Sequence, residues 1–301
     1  ARLGLQLNAA HRLDVSALNH HLNSQFDSST RWTDERAAHH IDAYGLTWTA
    51  RWLPALSSRI SVNESHTGYQ APSLAYEART RLRGFSMVNE YRMGQASLTA
   101  LLERKEDRLD NAPLAQGRSQ NAVALGYGLR AGAHTLQMNL RHDQDSDFGS
   151  KPTGSVAWAW ALAPKLRVTA SAGTAFRAPT VYQRYSIYGV PGLRPESARN
   201  AEVGLRWQEG ASQAQVVAYH NRVHDLITFV SAPGPCVAGS GAFPGCYANT
   251  AQARMRGLTF SGQHTLGAYR LQGSLDVQDP RDLTLDRQLA RRARQHGQIS
   301  V

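Results

Sequence analysis

Residues 173–196 read GTAFRAPTVYQRYSIYGVPGLRPE. The start of this stretch continues KLRVTASAGTAF (165–176), in which apolar residues occupy every second position. A period of two predicts a β-strand, because neighbouring side chains on a strand point to opposite faces. The alternation then stops until LRPE (193–196), after which a second alternating segment begins. The stretch therefore predicts a strand, a long loop and another strand.

The same period of two runs through most of the chain. Alternating segments of ~9–12 residues have the length that a tilted strand needs to cross a bilayer, whereas strands of a soluble sandwich usually have ~5–6. No run approaches the ~18 apolar residues of a spanning helix, and the mean hydropathy is −0.44. The pattern predicts an all-β transmembrane antiparallel barrel and no helix. Further examples are RLGLQLNA (2–9), HTLQMNLR (134–141), VAWAWALA (156–163) and RLQGSLDVQ (270–278).

The connections between the predicted strands have two lengths. Short turns on one rim and long loops on the other are typical of outer-membrane barrels. Counting strands between them gives roughly 15. The short turns are predicted at 9–13, 131–133, 162–165 and 209–212, and the long loops at 26–36, 67–78, 105–117, 177–198, 231–246 and 279–287.

The stretch 173–196 resembles the corresponding barrel segment of TonB-dependent outer-membrane receptors. In that family a G-x-x-F-R-A-P run precedes aromatic residues and then L-x-P-E. The segments 200–207, 216–230 and 247–262 follow in the order of the family's next strands. The matching motif residues, which the resemblance makes structural, are Phe176, Arg177, Pro179, Leu193, Pro195 and Glu196.

The resemblance implies more barrel than this chain contains. The family's barrel has about 22 strands and encloses an N-terminal plug. We therefore expect residues 1–301 to be a partial barrel from the middle of the receptor, without the plug. An ion pair or hydrogen bond between Arg177 and Glu196 is expected to anchor the loop 177–198 to its rim.

Two segments resemble the cobalamin receptors within this family, namely YSIYGVPGLRPE (185–196) and LDVQDPRDLTLDRQLARRARQH (275–296). The resemblance implies a receptor in the outer membrane of a Gram-negative bacterium that imports cobalamin and is energised by the TonB complex. A ferric siderophore or haem is the alternative substrate. A passive porin or adhesin barrel and a soluble β-sandwich are alternatives of other classes. The motifs assign no ligand-binding residue.

The net charge of +10 is spread along the chain rather than gathered in one basic stripe. This distribution argues against nucleic-acid binding and suits the lumen, the rims and contacts with anionic lipid, including lipopolysaccharide. The sequence contains no G-x-S-x-G, H-E-x-x-H or P-loop motif, so we expect no enzyme and no catalytic residue.

Two groups of residues could stabilise external loops. Calcium orders such loops in some cobalamin receptors, and its candidate ligands are Asp27, Asp34 and Glu35, because hard oxygen ligands suit Ca²⁺. No other cofactor is expected. Cys236 and Cys246 are the only cysteines and close a short Gly/Pro-rich loop, which predicts a disulfide in an exported protein.

Aromatic residues near strand ends are expected to face outward as membrane-interface girdles. The residues so assigned are Trp32, Trp48, Trp52, Tyr69, Tyr76, Trp158, Trp160 and Trp207.

Overall fold

The computed structural model describes residues 1–27, 34–186, 188–231 and 245–301. These residues form one antiparallel sheet of 16 strands that follow each other in chain order, with the last two both pairing with the fourteenth. The strands are β1 (Arg2–Gln6), β2 (His11–Asp27), β3 (Asp34–Leu53), β4 (Leu56–Ala71), β5 (Tyr76–Met93), β6 (Ala96–Asn111), β7 (Leu114–Ala131), β8 (His134–Asp145), β9 (Gly149–Ala163), β10 (Leu166–Arg177), β11 (Glu196–Glu209), β12 (Ser212–Ser231), β13 (Gly245–Leu266), β14 (Tyr269–Asp282), β15 (Arg287–Gln288) and β16 (Gln295–Ser300).

One face of the sheet, which we name the outer face, carries the apolar side chains in cross-strand rows. One such row contains Ile60, Met87, Leu102 and Val123 on four neighbouring strands. Leu102 is 53% exposed and Val123 is 52% exposed. A continuous exposed apolar band of this kind suits contact with lipid rather than with water. The opposite face, the inner face, carries mainly polar and small residues, as the alternation predicts, and this arrangement rules out a soluble sandwich.

Four turns on one rim share the same local geometry. Each has two residues, of which the first is a glycine with φ between 56° and 59°. A two-residue hairpin turn with a positive φ at its first position favours glycine, because residues with a side chain rarely adopt that backbone conformation. The short turns predicted at 131–133 and 209–212 are among them. The glycines are Gly94, Gly132, Gly210 and Gly267.

On the other rim the strands extend further than the sequence predicts, up to 22 residues in β13. The long loop predicted at 105–117 is wrong, because β6 and β7 continue to a two-residue turn at 112–113. The prediction at 67–78 is also wrong, since only a 3-10 helix, Pro72–Leu74, separates β4 from β5. Charged residues in the segment 105–117 continue the strand period and pair with a residue two positions along it, as Arg108 Nε does with Asp110 at 3.6 Å.

One α-helix occurs in the described residues, α1 (Val181–Tyr185), which the sequence did not predict. Within the described ranges no helix is both long and apolar enough to cross a membrane.

Tryptophans cluster on the outer face near the rim of short turns. Trp48 stacks with His11 at 5.7 Å between ring centroids and meets Trp52 edge-on at 5.6 Å. Trp158 and Trp160 both stack with a histidine at 5.8 Å. These positions suit an interfacial girdle. Trp32 lies outside the described residues.

Candidate functional site at the external mouth

The loop between β10 and β11 folds back across the inner face. Thr180 begins α1: its hydroxyl accepts a hydrogen bond from the Gln183 N–H at 3.0 Å, and the Gln183 side chain accepts one from the Thr180 N–H at 2.9 Å. This capping box satisfies two amide groups that a helix start leaves open. The helix contacts β6 and β7. A loop that leaves the sheet at β10 therefore covers strands three and four positions away.

Arg118 on β7 holds the start of this loop. Its Nη1 donates a hydrogen bond to the Pro179 carbonyl at 2.5 Å. The guanidinium also lies 3.7 Å from a carboxylate oxygen of Asp107 on β6 and 3.7 Å from one of Asp145 on β8. The Asp145 side chain is fully buried, and that of Arg118 is 13% exposed. Burial raises the pKa of Asp107, against the opposing effects of Arg118 and the Val181 N–H.

The end of the loop is fixed by Glu196. Its two oxygens accept hydrogen bonds from Arg177 Nε at 2.6 Å and Nη2 at 2.5 Å. One oxygen also accepts from the Ile227 N–H on β12 at 2.7 Å. The Glu196 side chain is 10% exposed, whereas that of Arg177 is 53% exposed. The expected ion pair is therefore present, and it joins three strands.

A second contact fixes the residues just before Glu196. The Asn249 side chain accepts a hydrogen bond from the Arg194 N–H at 2.9 Å and donates one to the Arg194 carbonyl at 3.0 Å. It also donates to the carbonyl of Asp225 at 2.7 Å, a residue with a φ of 56°. Leu193 is 3% exposed. The motif 193–196 is thus attached to β12 and β13 by backbone and side-chain contacts.

Seven rings on the loop and on the inner face form what we name the aromatic cluster. Tyr69 contacts His39 at 4.7 Å and Tyr76 at 5.8 Å between ring centroids. Tyr247 contacts Phe229 at 5.5 Å and Tyr182 at 6.4 Å. The loop supplies two members, and the strands around it supply the others. The cluster comprises His39, Tyr69, Tyr76, Tyr182, Tyr188, Phe229 and Tyr247.

The two halves of the cluster meet through a pair of hydroxyls. The Tyr76 and Tyr182 oxygens are 3.0 Å apart. Burial, and then the contact with Tyr76, raises the pKa of Tyr182. Both hydroxyls are therefore neutral at physiological pH, and the rings remain partly exposed. Such a surface can pack against a flat apolar ligand and exchange hydrogen bonds with its polar groups.

The sequence did not identify this cluster, and the outward placement of Tyr69 and Tyr76 was wrong. Val62 lies on the outer face, and counting along β4 in steps of two places Gly68 and Gln70 there as well. Tyr69 consequently faces inward. Strand parity is therefore the signal that could have found it.

The motif residues divide between the two faces. Pro179 and Leu193 are buried, Arg177 and Glu196 are paired on the inner side, and Phe176 belongs to the outer set of β10, in step with Val168. The contacts of the described residues do not identify a ligand for any of these motif residues.

The calcium assignment remains a prediction. Asp27 and Asp34 are backbone partners at the end of the β2–β3 hairpin, and Glu35 is 3% exposed. The Asp34 side chain lies outside what the structure describes. In the described part of the chain, no three His, Cys, Asp or Glu side chains are grouped to hold a metal.

The disulfide also remains a prediction, because Cys236 lies outside the described residues, while Cys246 is 1% exposed on β13. We expect the denatured, unreduced protein to take up no thiol reagent and the reduced protein to take up two equivalents, one for each of its 2 cysteines. Mass spectrometry measures the uptake. Labelling before reduction would contradict the bond.

Together these features define a class: a transmembrane β-barrel whose external mouth is filled by an anchored loop. The sequence matches the family described as "TonB dependent receptor-like, beta-barrel" over residues 2–299. The chain belongs to this family, and its place is the outer membrane of a Gram-negative bacterium.

Two curated relatives are transporters. The chain is 31% identical to the vitamin B12 transporter BtuB of Vibrio vulnificus over 163 residues, which is 54% of this chain and 25% of that protein. It is 28% identical to the vitamin B12 transporter BtuB of Photobacterium profundum over 185 residues, which is 61% of this chain and 30% of that protein. The matches thus span less than a third of each relative.

Solved structures share the fold. The siderophore receptor PirA from Pseudomonas aeruginosa aligns with a TM-score of 0.79 at 18% identity, covering 93% of this chain and 55% of that one. The copper transporter OprC aligns with a TM-score of 0.74 at 16% identity, covering 96% of this chain and 52% of that one. At these identities the alignments show that the fold is shared, and the chain spans about half the length of each structure.

Proposed function

We propose that this chain forms the barrel wall and the external mouth of a receptor that imports cobalamin across the outer membrane. The observation that carries the proposal is the sequence identity of 31% and 28% to two vitamin B12 transporters. That similarity extends over half of the chain or more.

The aromatic cluster supports a large, ring-shaped substrate. A corrin has a broad apolar surface and polar amide groups at its edge. The rings of Tyr182 and Tyr247 offer apolar area, and the Tyr76 hydroxyl offers a hydrogen-bonding group at the same surface. A site with few polar groups on an apolar floor suits binding of this kind.

Transport through a barrel against a gradient requires energy, which the family obtains from the TonB complex through the plug. We therefore propose that the whole receptor contains a plug and that it binds the TonB complex. Calcium bound by Asp27, Asp34 and Glu35 would order the end of the β2–β3 hairpin beside this mouth.

An iron chelate is the second candidate substrate. The fold similarity to the siderophore receptor PirA favours it, and aromatic rings also pack well against planar chelating groups. The identity to that receptor is 18%, however, so this similarity concerns the fold.

Cobalamin binding to the complete receptor in detergent, with and without Ca²⁺, tests the proposal. We expect tight binding, which Ca²⁺ strengthens if Asp27 and Asp34 are ligands. Tyr247→Leu is expected to weaken binding by about tenfold or more, because aromatic contacts dominate such surfaces.

Tyr44→Leu is the matched control, since Tyr44 lies on the outer face and is 53% exposed. It should leave the affinity unchanged. Absence of cobalamin binding by the folded receptor would contradict the proposal and direct the search to iron chelates.

A further inference from the structure

Four arginines lie side by side on the outer face, and we name them the arginine row. The register pairs Arg199 with Arg222, Arg222 with Arg254, and Arg254 with Arg281. They occupy β11, β12, β13 and β14 as direct register partners. Because neighbouring strands are ~4.8 Å apart, the row spans about 14 Å.

The arginine row lies beyond the apolar band, on the side of the long loops. The row Val203, Ala218, Leu258 and Val277 is apolar throughout. Each arginine is four residues further along its strand, which is a distance of ~13 Å. A displacement of this size towards the long loops suits the headgroup region of the external leaflet, with acyl chains against the apolar row.

The charges of the arginine row are only partly neutralised within the described residues. Asp279 is shared by three cations, Arg254 at 3.0 Å and Arg256 and Arg281 at 3.3 Å each. Arg281 also contacts Asp286 at 2.7 Å.

Arg199 and Arg222 have no carboxylate within 4 Å in the described part of the chain, and Arg222 donates instead to Gln252 at 2.7 Å. Like charges directly opposite on adjacent strands are destabilising. An anion from outside the chain would therefore stabilise the row.

Outer-face arginines on other strands differ from the arginine row in their partners. On β5, Arg81 and Arg83 both contact Glu64, at 2.9 Å and 2.7 Å. On β6, Arg104 contacts Glu106 at 2.9 Å. Excess positive charge is thus a feature of β11–β14 rather than of the whole belt above the apolar band.

We propose that the arginine row binds the phosphate groups of a lipid in the external leaflet, such as the phosphorylated sugar headgroup of lipopolysaccharide. Guanidinium groups bind phosphate through paired, charge-assisted hydrogen bonds. Clustered basic residues beside an apolar membrane surface favour anionic lipid. The apolar row directly below selects a lipid over free phosphate. This site is independent of the nutrient that the receptor imports.

The test compares lipid binding by the complete receptor and by the double variant Arg199→Gln, Arg222→Gln. Native mass spectrometry in detergent measures binding of phosphorylated lipid A and of lipid A with its phosphates removed. The double variant should bind the phosphorylated form about 30-fold more weakly, as expected for two lost surface contacts with anionic lipid. The unmodified receptor should discriminate against the dephosphorylated form.

Arg104→Gln is the matched control, because that arginine has its own carboxylate partner, and it should bind like the unmodified receptor. Equal loss in both variants, or equal binding of both lipid forms by the unmodified receptor, would overturn the proposal. Inorganic phosphate should not displace the lipid at millimolar concentration. Displacement would assign the row to free phosphate instead. The two lipid forms are compared on unmodified protein, so this arm holds even if the double variant does not fold.

Discussion

Replacing Arg118 with methionine is expected to destabilise the external mouth by about 3–5 kcal/mol, because it leaves buried carboxylates without their cation. Asp145 is fully buried and Asp107 is 15% exposed. Methionine keeps the apolar stem of the side chain but removes the guanidinium, and with it the hydrogen bond to the Pro179 carbonyl. Thermal unfolding of the complete receptor in detergent measures the change.

The size of this defect depends on pH. The pKa of Asp107 is raised in the folded protein, chiefly by burial, and Arg118 opposes the rise. Without Arg118 the folded pKa rises further, so the folded variant binds a proton more readily than the unfolded chain. Its stability is then lost as pH rises through the folded pKa and recovered as pH falls. The defect should therefore shrink as the pH is lowered from neutrality towards about 4, the pKa of an aspartate in the unfolded chain.

Arg104→Met is the control, since Arg104 is 46% exposed and an exposed ion pair contributes only ~0–1 kcal/mol. Similar destabilisation by the two substitutions, or a defect of Arg118→Met that does not change with pH, would contradict the assigned role.

The strands and the short turns could be predicted because their causes are local. Alternation around Leu136 and Met138 follows from the period of a strand, and the turn at Gly132 requires a positive φ. The extensions of the strands on the external side were not predicted. Their residues are mostly polar on both faces, so the period of two does not appear as an alternation of apolar and polar residues. In β6, Arg104 and Glu106 alternate with inward residues as regularly as Leu98 and Leu102 do.

The mouth could not be predicted because it depends on contacts between distant parts of the chain. Arg118 meets Pro179 across 61 residues, and Tyr76 meets Tyr182 across 106. The arginine row likewise follows from the registers of three strand pairs. Single-residue patterns give the face of each side chain, whereas pairing across the sheet decides its neighbours.

Replacing Glu196 with alanine is expected to loosen the loop between β10 and β11 by about 1–3 kcal/mol, since the Ile227 N–H is left without its acceptor in a buried position. The ion pair with Arg177 adds less, because that arginine is 53% exposed and solvent screens its charge. Limited proteolysis of the complete receptor within residues 178–195 should accelerate by about tenfold or more, as the open population rises with the lost free energy.

Glu202→Ala is the matched control, because Glu202 lies on the same strand and face but is exposed. It should leave the cleavage rate unchanged. If Glu196→Ala instead keeps the loop protected and lowers nutrient affinity, Glu196 contacts the substrate and does not serve as an anchor. A second outcome is faster cleavage together with weaker nutrient binding. If the affinity falls by the same factor as the fraction of receptor with a closed loop, the whole effect of Glu196 comes from holding the loop.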